Sequence, residues 1–155
     1  MDNNEDRYIL LISIHGLMRG HDLELGRDAD TGGQTKYVVD LARALADQEG
    51  VARVDLVTRR VVDKDVSDDY SRIVEPLSEK ANIVRIDAGP EGYIPKEKLW
   101  DHLDTFTDNL IHHLHEQELS PDIIHSHYAD AGYVGVRLSS CLSVPLVHTG
   151  HSSGR

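Results

Sequence analysis

The sequence predicts an α/β domain, a Rossmann-like parallel sheet flanked by helices, and three observations support this prediction. Short apolar runs rich in Ile, Leu and Val alternate with longer segments whose apolar residues recur every three or four positions. Alternating strands and helices give parallel strands joined by right-handed crossovers. The predicted strands also end in polar residues, and ligands of such sheets bind at the carboxyl ends of the strands.

The predicted elements follow from these two periodicities. In the first half they are a strand over 7–14, a helix over 32–47, a strand over 51–58, a surface loop or short helix over 63–71 and a strand over 81–86. In the second half they are a helix over 96–118, a strand over 121–125, a helix over 129–142 and a strand over 144–148. A doubly wound sheet normally continues into another helix after such a strand, so we expect residues 1–155 to be an incomplete domain.

Composition excludes several classes of protein. The 155 residues carry 16 basic and 27 acidic side chains, a net charge of −11 that argues against a nucleic-acid-binding protein. No apolar run is long enough to cross a membrane, and the acidic first residues lack the features of a signal peptide. A single cysteine, Cys141, excludes a disulfide framework and is expected to be a small buried residue. We therefore expect a cytoplasmic protein with no membrane partner.

The glycine pair Gly32-Gly33 lies at the predicted start of the first helix, after a polar loop that contains Asp28 and Asp30. Glycines at a helix N-terminus allow a ligand to approach the backbone N–H groups. The alternative is a simple helix cap, in which Thr31 caps the helix and the glycines permit a tight entry. The pair matches neither the dinucleotide fingerprint nor a Walker loop.

Other candidate side chains lie near predicted strand ends or helix starts. Lys96 precedes the long helix, where a lysine can bind a phosphate or remain solvated. His151 follows the last strand, where a histidine can bind a ligand or act in acid–base chemistry. His127 and Tyr128 form a pair of hydrogen-bonding groups at another strand end. The ten histidines show no set of ligands with metal-binding spacing, so no metal is expected.

Five motifs in the same order resemble those of the sucrose-phosphate synthases. The first spans residues 20–45, with Leu23-Glu-Leu-Gly-Arg-Asp-Ala-Asp-Thr-Gly-Gly-Gln-Thr-Lys-Tyr-Val-Val39 at its centre. The others span residues 54–59, 92–100, 127–132 and 149–155. Sucrose synthases share the Asp-Thr-Gly-Gly-Gln core but usually lack the lead-in at 23–27, which makes them the nearest competing family.

The resemblance implies a retaining glycosyltransferase of the GT-B architecture, in which two Rossmann-like domains face each other across a cleft. It would transfer glucose from UDP-glucose to fructose 6-phosphate, giving sucrose 6-phosphate and UDP without a metal. Residues 1–155 would form the incomplete N-terminal, acceptor-side domain, with the C-terminal donor domain absent. We therefore expect this chain to be inactive alone; the other hypothesis is a free-standing sugar-phosphate-binding module.

The resemblance also implies roles for individual residues. His151 would lie near the donor glucose, where it would orient hydroxyls and stabilise the developing positive charge. The remaining implied sugar-binding residues are Gly32, Gly33 and Gln34, which would contact both sugars, Lys96, which would contact fructose 6-phosphate, and Tyr128 and Ser152, which would line the same pocket.

Overall fold

A computed structural model describes residues 6–22 and 32–150 of the chain. The strands are β1 (Arg7–Ile12), β2 (Val51–Arg59), β3 (Val74–Pro76), β4 (Ala81–Ile86), β5 (Ile123–His127) and β6 (Leu146–Thr149). The α-helices are α1 (Gly32–Ala46), α2 (Leu103–Glu116) and α3 (Tyr128–Leu142), and two short 3₁₀ helices span Asp68–Ser71 and Lys96–His102.

The six strands form one sheet in the order β3-β4-β2-β1-β5-β6. All neighbouring strands are parallel except β3, which pairs antiparallel with β4. The strand order reverses between β1 and β5, because the chain first builds the sheet outward from β1 and then crosses to its other side. The crevice at such a reversal, beyond the carboxyl ends of the two strands, is the usual ligand site of this fold.

Helices pack on both faces of the sheet, so β1 and β2 are buried on both sides. Helix α1 buries Val38 and Ala42 against one face, which includes Leu11 and Leu56. Helices α2 and α3 cover the opposite face. No helix among residues 6–22 and 32–150 is long and apolar enough to cross a membrane.

The structure confirms the predicted class of fold and changes several details. Strand β3 was not predicted, because a three-residue edge strand that ends in Pro76 leaves almost no periodic signal. The helix predicted over 96–118 divides into the 3₁₀ helix Lys96–His102 and α2. The expectation that Cys141 is buried is wrong: its side chain is exposed near the end of α3.

Candidate functional site

The candidate site lies where the strand order reverses, between the carboxyl ends of β1 and β5. His15 follows β1, and Tyr128 directly follows β5. The ring of His15 meets the ring of Tyr128 edge to face, with the ring centres 5.3 Å apart and the planes at 73°. Two residues that are 113 positions apart in the sequence therefore share one crevice.

A buried hydrogen bond fixes the orientation of His15. Its Nδ1 lies 2.7 Å from Oδ2 of Asp130, and the two side chains are only 5% and 4% exposed. The other carboxylate oxygen of Asp130 accepts a hydrogen bond from the backbone N–H of Ala131 at 2.7 Å. Asp130 thus connects the first turn of α3 to the segment that leaves β1.

Tyr128 begins α3 with a φ of +75°, a left-handed conformation that is unfavourable for a residue with a side chain. Such conformations persist where surrounding contacts hold them, often at binding sites. Burial raises the pKa of the Tyr128 hydroxyl, and the phenol of Tyr37 raises it further, whereas the charge of Lys96 lowers it. Lys96 and Tyr37 therefore both lie close enough to Tyr128 to act on its hydroxyl.

Helix α1 contributes the glycine pair and Gln34 to the site. Among residues 6–22 and 32–150, no neighbouring atom lies within 4 Å of a Cβ added to Gly33, so these residues leave open space in front of the glycine backbone. Gln34 is buried, and its side-chain Nε2 donates hydrogen bonds to Oγ of Ser13 at 3.3 Å and to the carbonyl of His15 at 3.2 Å. The Oε1 of Gln34 has no hydrogen-bond partner among the described residues, which leaves one buried acceptor unpaired.

Lys96 is the first residue of the 3₁₀ helix that follows the segment 87–95. The guanidinium of Arg59, at the end of β2, holds this segment by donating hydrogen bonds to the carbonyls of Ala88 at 2.8 Å, Pro90 and Gly92 at 3.0 Å. Burial lowers the pKa of Arg59. Because one side chain binds three carbonyls of this segment, the backbone position of Lys96 at its end is fixed.

Gln34 and Tyr128 both contact His15, and Lys96 lies close enough to Tyr128 to lower the pKa of its hydroxyl. Gly32 and Gly33 are the first two residues of α1. His151 and Ser152 lie outside the described residues, so their predicted roles stay predictions.

Sequence reasoning missed His15, Asp130, Arg59 and Tyr37 as parts of the site. The polar ends of the predicted strands, which include His15 and Arg59, were the available signal. Tyr37 recurs at helical spacing with Val38, Leu41, Ala42 and Leu45, which predicts a core position on the first helix, whereas its side chain is 45% exposed. Among the residues that the structure describes, no three His, Cys, Asp or Glu side chains are arranged to hold a metal ion.

A Rossmann-like domain with a glycine-led helix and a polar crevice between β1 and β5 fits the sugar-transferring class of α/β proteins. The family model of Glycosyltransferase Family 4 matches residues 31–155, so the chain belongs to this family of glycosyltransferases. The fold matches the N-terminal domain of a GT-B glycosyltransferase.

Within this family, the chain is similar to sucrose-phosphate synthases. It is 49% identical to sucrose-phosphate synthase 4 of Arabidopsis thaliana over 99% of this chain and 46% identical to the sucrose-phosphate synthase of Zea mays over 99%. A solved sucrose-phosphate synthase of Thermosynechococcus elongatus superimposes with a TM-score of 0.76 and 33% identity, over 96% of this chain and 34% of that one. The chain spans 17% of the length of each of these two curated relatives. The predicted resemblance is therefore confirmed.

Proposed function

We propose that this chain is the acceptor-binding, N-terminal part of a sucrose-phosphate synthase. The full-length enzyme transfers glucose from UDP-glucose to fructose 6-phosphate with retention of configuration, and the products are sucrose 6-phosphate and UDP. The chain contributes the acceptor side of the cleft, and a donor domain elsewhere in the same protein binds the nucleotide sugar.

One observation carries the proposal: the similarity to sucrose-phosphate synthases extends over nearly the whole chain. The geometry of the crevice supports it. Open space lies in front of Gly33, and Lys96 supplies a positive charge beside Tyr128. A sugar phosphate needs both features, because a sugar ring needs room and its phosphate needs a cation.

In the proposed reaction, a hydroxyl oxygen of fructose 6-phosphate forms a bond to C1 of glucose. The bond between C1 and the β-phosphate oxygen of UDP breaks, and the acceptor proton passes to that leaving oxygen on the same face of the sugar. His151 stabilises the positive charge that develops on the glucose ring, and Ser152 lines the acceptor pocket. We propose that no metal takes part and that the enzyme works in the cytoplasm.

The experiment measures the release of UDP from UDP-glucose and fructose 6-phosphate by the full-length protein that contains this chain. We expect release that depends on fructose 6-phosphate, and sucrose 6-phosphate as the second product. The 155-residue chain serves as the control and should release no UDP. A full-length protein that uses neither substrate would overturn the proposal.

A free-standing sugar-phosphate-binding module remains the competing hypothesis. The gene sequence beyond codon 155 distinguishes the two, because a synthase continues into a second α/β domain. A stop codon directly after position 155, combined with binding of fructose 6-phosphate by the isolated chain, would favour the module.

A further inference from the structure

Tyr37 lies on α1 one helical turn after Gly33. Residues four positions apart occupy the same face of a helix, so Tyr37 borders the open space in front of Gly33. Its side chain is 45% exposed, although its position in the sequence belongs to the apolar stripe of the helix. The ring of Tyr37 is therefore partly exposed to solvent beside the candidate binding space.

The neighbours of Tyr37 belong to the same crevice. Its ring meets the ring of His127 edge to face, with ring centres 5.8 Å apart and planes at 69°. His127 is fully buried at the end of β5, so it supports the tyrosine ring from behind. Tyr37 also lies close enough to act on the hydroxyl of Tyr128, which lies near the positive charge of Lys96.

We propose that Tyr37 is an acceptor-binding residue whose ring packs against the C–H face of the sugar part of a sugar phosphate bound between α1 and the segment that starts at Lys96. This inference rests on the proposed function. The two sides of the crevice would bind different parts of the acceptor. The ring of Tyr37 binds the carbon skeleton of the acceptor, and the ammonium of Lys96 binds its phosphate.

The face of a sugar ring and the face of a tyrosine ring match in their chemistry. A sugar ring presents C–H groups on its faces and hydroxyls at its edge, and burying those C–H groups against an aromatic ring removes apolar surface from water. A tyrosine ring loses little conformational entropy on binding, because only two side-chain angles must be fixed. The contact with His127 restrains the ring of Tyr37 before the ligand arrives.

The experiment compares Tyr37→Ala, Tyr37→Phe and Lys96→Ala in the full-length protein, with fructose 6-phosphate and fructose as alternative acceptors. We expect Tyr37→Ala to raise the KM for fructose 6-phosphate about tenfold, which corresponds to the loss of one aromatic contact. The KM for UDP-glucose should change less than about twofold. Tyr37→Phe keeps the ring and should stay within about threefold of the wild type. Lys96→Ala should abolish most of the preference for the phosphorylated acceptor, whereas Tyr37→Ala should preserve it.

Tyr133 provides a matched control, because it is a tyrosine of similar exposure, 41%, on α3, and its hydroxyl donates a hydrogen bond to Asp104 on α2. Tyr133→Ala should leave both KM values unchanged. The inference is wrong if Tyr37→Ala behaves like Tyr133→Ala, if it changes the KM for UDP-glucose instead, or if Tyr37→Phe is as impaired as Tyr37→Ala. An inactive wild-type protein would overturn the proposed function itself, which is a separate outcome.

Discussion

Nδ1 of His15 and Oδ2 of Asp130 are 2.7 Å apart, and this buried pair joins the end of β1 to the first turn of α3. The two residues are 115 positions apart in the chain. Because Asp130 also accepts a hydrogen bond from the N–H of Ala131, one carboxylate orients both the imidazole and the start of the helix. Tyr128 lies next to this pair, with its ring 5.3 Å from that of His15.

Replacement of either partner should destabilise the domain. We expect Asp130→Ala to lower the free energy of unfolding by about 1–3 kcal/mol, because a buried imidazole N–H and the N–H of Ala131 would lose their acceptor. His15→Ala should cost a similar amount, and the double variant should cost clearly less than the sum of the two. Urea unfolding followed by tryptophan fluorescence measures all three values.

The exposed pair formed by His112 and Glu116, 3.7 Å apart on α2, is the control for this cycle. His112→Ala should change the free energy of unfolding by less than about 0.5 kcal/mol, because both side chains are largely solvated. Additive effects of His15→Ala and Asp130→Ala would show that the two side chains are not coupled.

The glycines of α1 and α3 should respond differently to the same substitution. Gly33→Ala adds a Cβ to open space, so stability should stay the same or rise by up to about 0.5 kcal/mol through improved helix propensity. Gly135→Ala should destabilise by about 1–3 kcal/mol, because its Cβ would lie 2.9 Å from Cδ1 of Leu146 and 3.2 Å from Ser126. Thermal unfolding of the two variants measures the contrast.

The two substitutions should affect activity in the opposite order to stability, with Gly33→Ala having the larger effect on activity. If the space in front of Gly33 holds substrate, the added methyl group of Gly33→Ala lowers kcat/KM at least about tenfold while the protein stays stable. Gly135 lies in the packed core, so Gly135→Ala should lose activity only in proportion to unfolded protein. A stable Gly33→Ala variant with wild-type kinetics would contradict a ligand role for this glycine and favour the simple helix cap.

The elements of the sheet could be predicted from the sequence because periodicity is a local property. Strand β5 shows where that signal fails: the apolar run predicts a strand over 121–125, whereas the strand covers Ile123–His127. Its last residues, Ser126 and His127, are polar but fully buried, because Gly135 of α3 packs beside Ser126 and the ring of Tyr37 on α1 contacts the ring of His127. Burial by distant segments decides such a boundary, and no local pattern records it.

The site could be predicted only in part, for the same reason. Gly32, Gly33 and Lys96 stand out through their position beside a helix start, which the sequence shows. The contacts that orient the site depend on the packed fold. Arg59 binds carbonyls about thirty positions later in the chain, and nothing around residue 59 predicts those partners.

Each partner of the buried ion pair between Arg85 and Glu75 should be needed for stability once the other is in place. Nη2 of Arg85 lies 2.6 Å from Oε1 of Glu75, and the two side chains are 1% and 4% exposed. The same guanidinium donates a hydrogen bond to the carbonyl of Met18, and Glu75 accepts one from the N–H of Gly20. The pair therefore ties the segment after β1 to the edge of the sheet.

Removal of one partner would leave the other charge buried without its ionic partner. We expect Arg85→Met to lower the free energy of unfolding by about 3–5 kcal/mol, and the double change with Glu75→Gln to recover part of this loss. Arg137→Gln, which removes a partner of the exposed Asp104, should cost no more than about 1 kcal/mol. Equal losses for the buried and exposed pairs, measured by urea unfolding, would contradict this account.

The phenol of Tyr8 should make the domain sensitive to alkaline pH. Its hydroxyl donates a hydrogen bond to Oδ2 of Asp55 at 2.7 Å, and burial, followed by the charge of Asp55, raises the pKa of Tyr8 far above its usual value of 10.0. The folded state keeps this proton after the unfolded state has lost it. The contribution of Tyr8 to the free energy of unfolding is therefore complete below pH 10 and decreases by about 1.4 kcal/mol per pH unit above it.

Tyr8→Phe removes both the hydrogen bond and this pH dependence. At pH 7 the variant should be about 0.5–1.5 kcal/mol less stable than the wild type, because Asp55 keeps its contacts with Arg53 and Asn82. Between pH 10 and 11 the difference in the free energy of unfolding between the two proteins should shrink. Only the wild type has the Tyr8 hydroxyl, which loses its proton when the protein unfolds in this range, so only the wild type is destabilised through this group as the pH rises. Urea unfolding at pH 7, 9, 10 and 11 measures both quantities, and a difference that stays constant over this range would show that Tyr8 titrates normally in the folded protein.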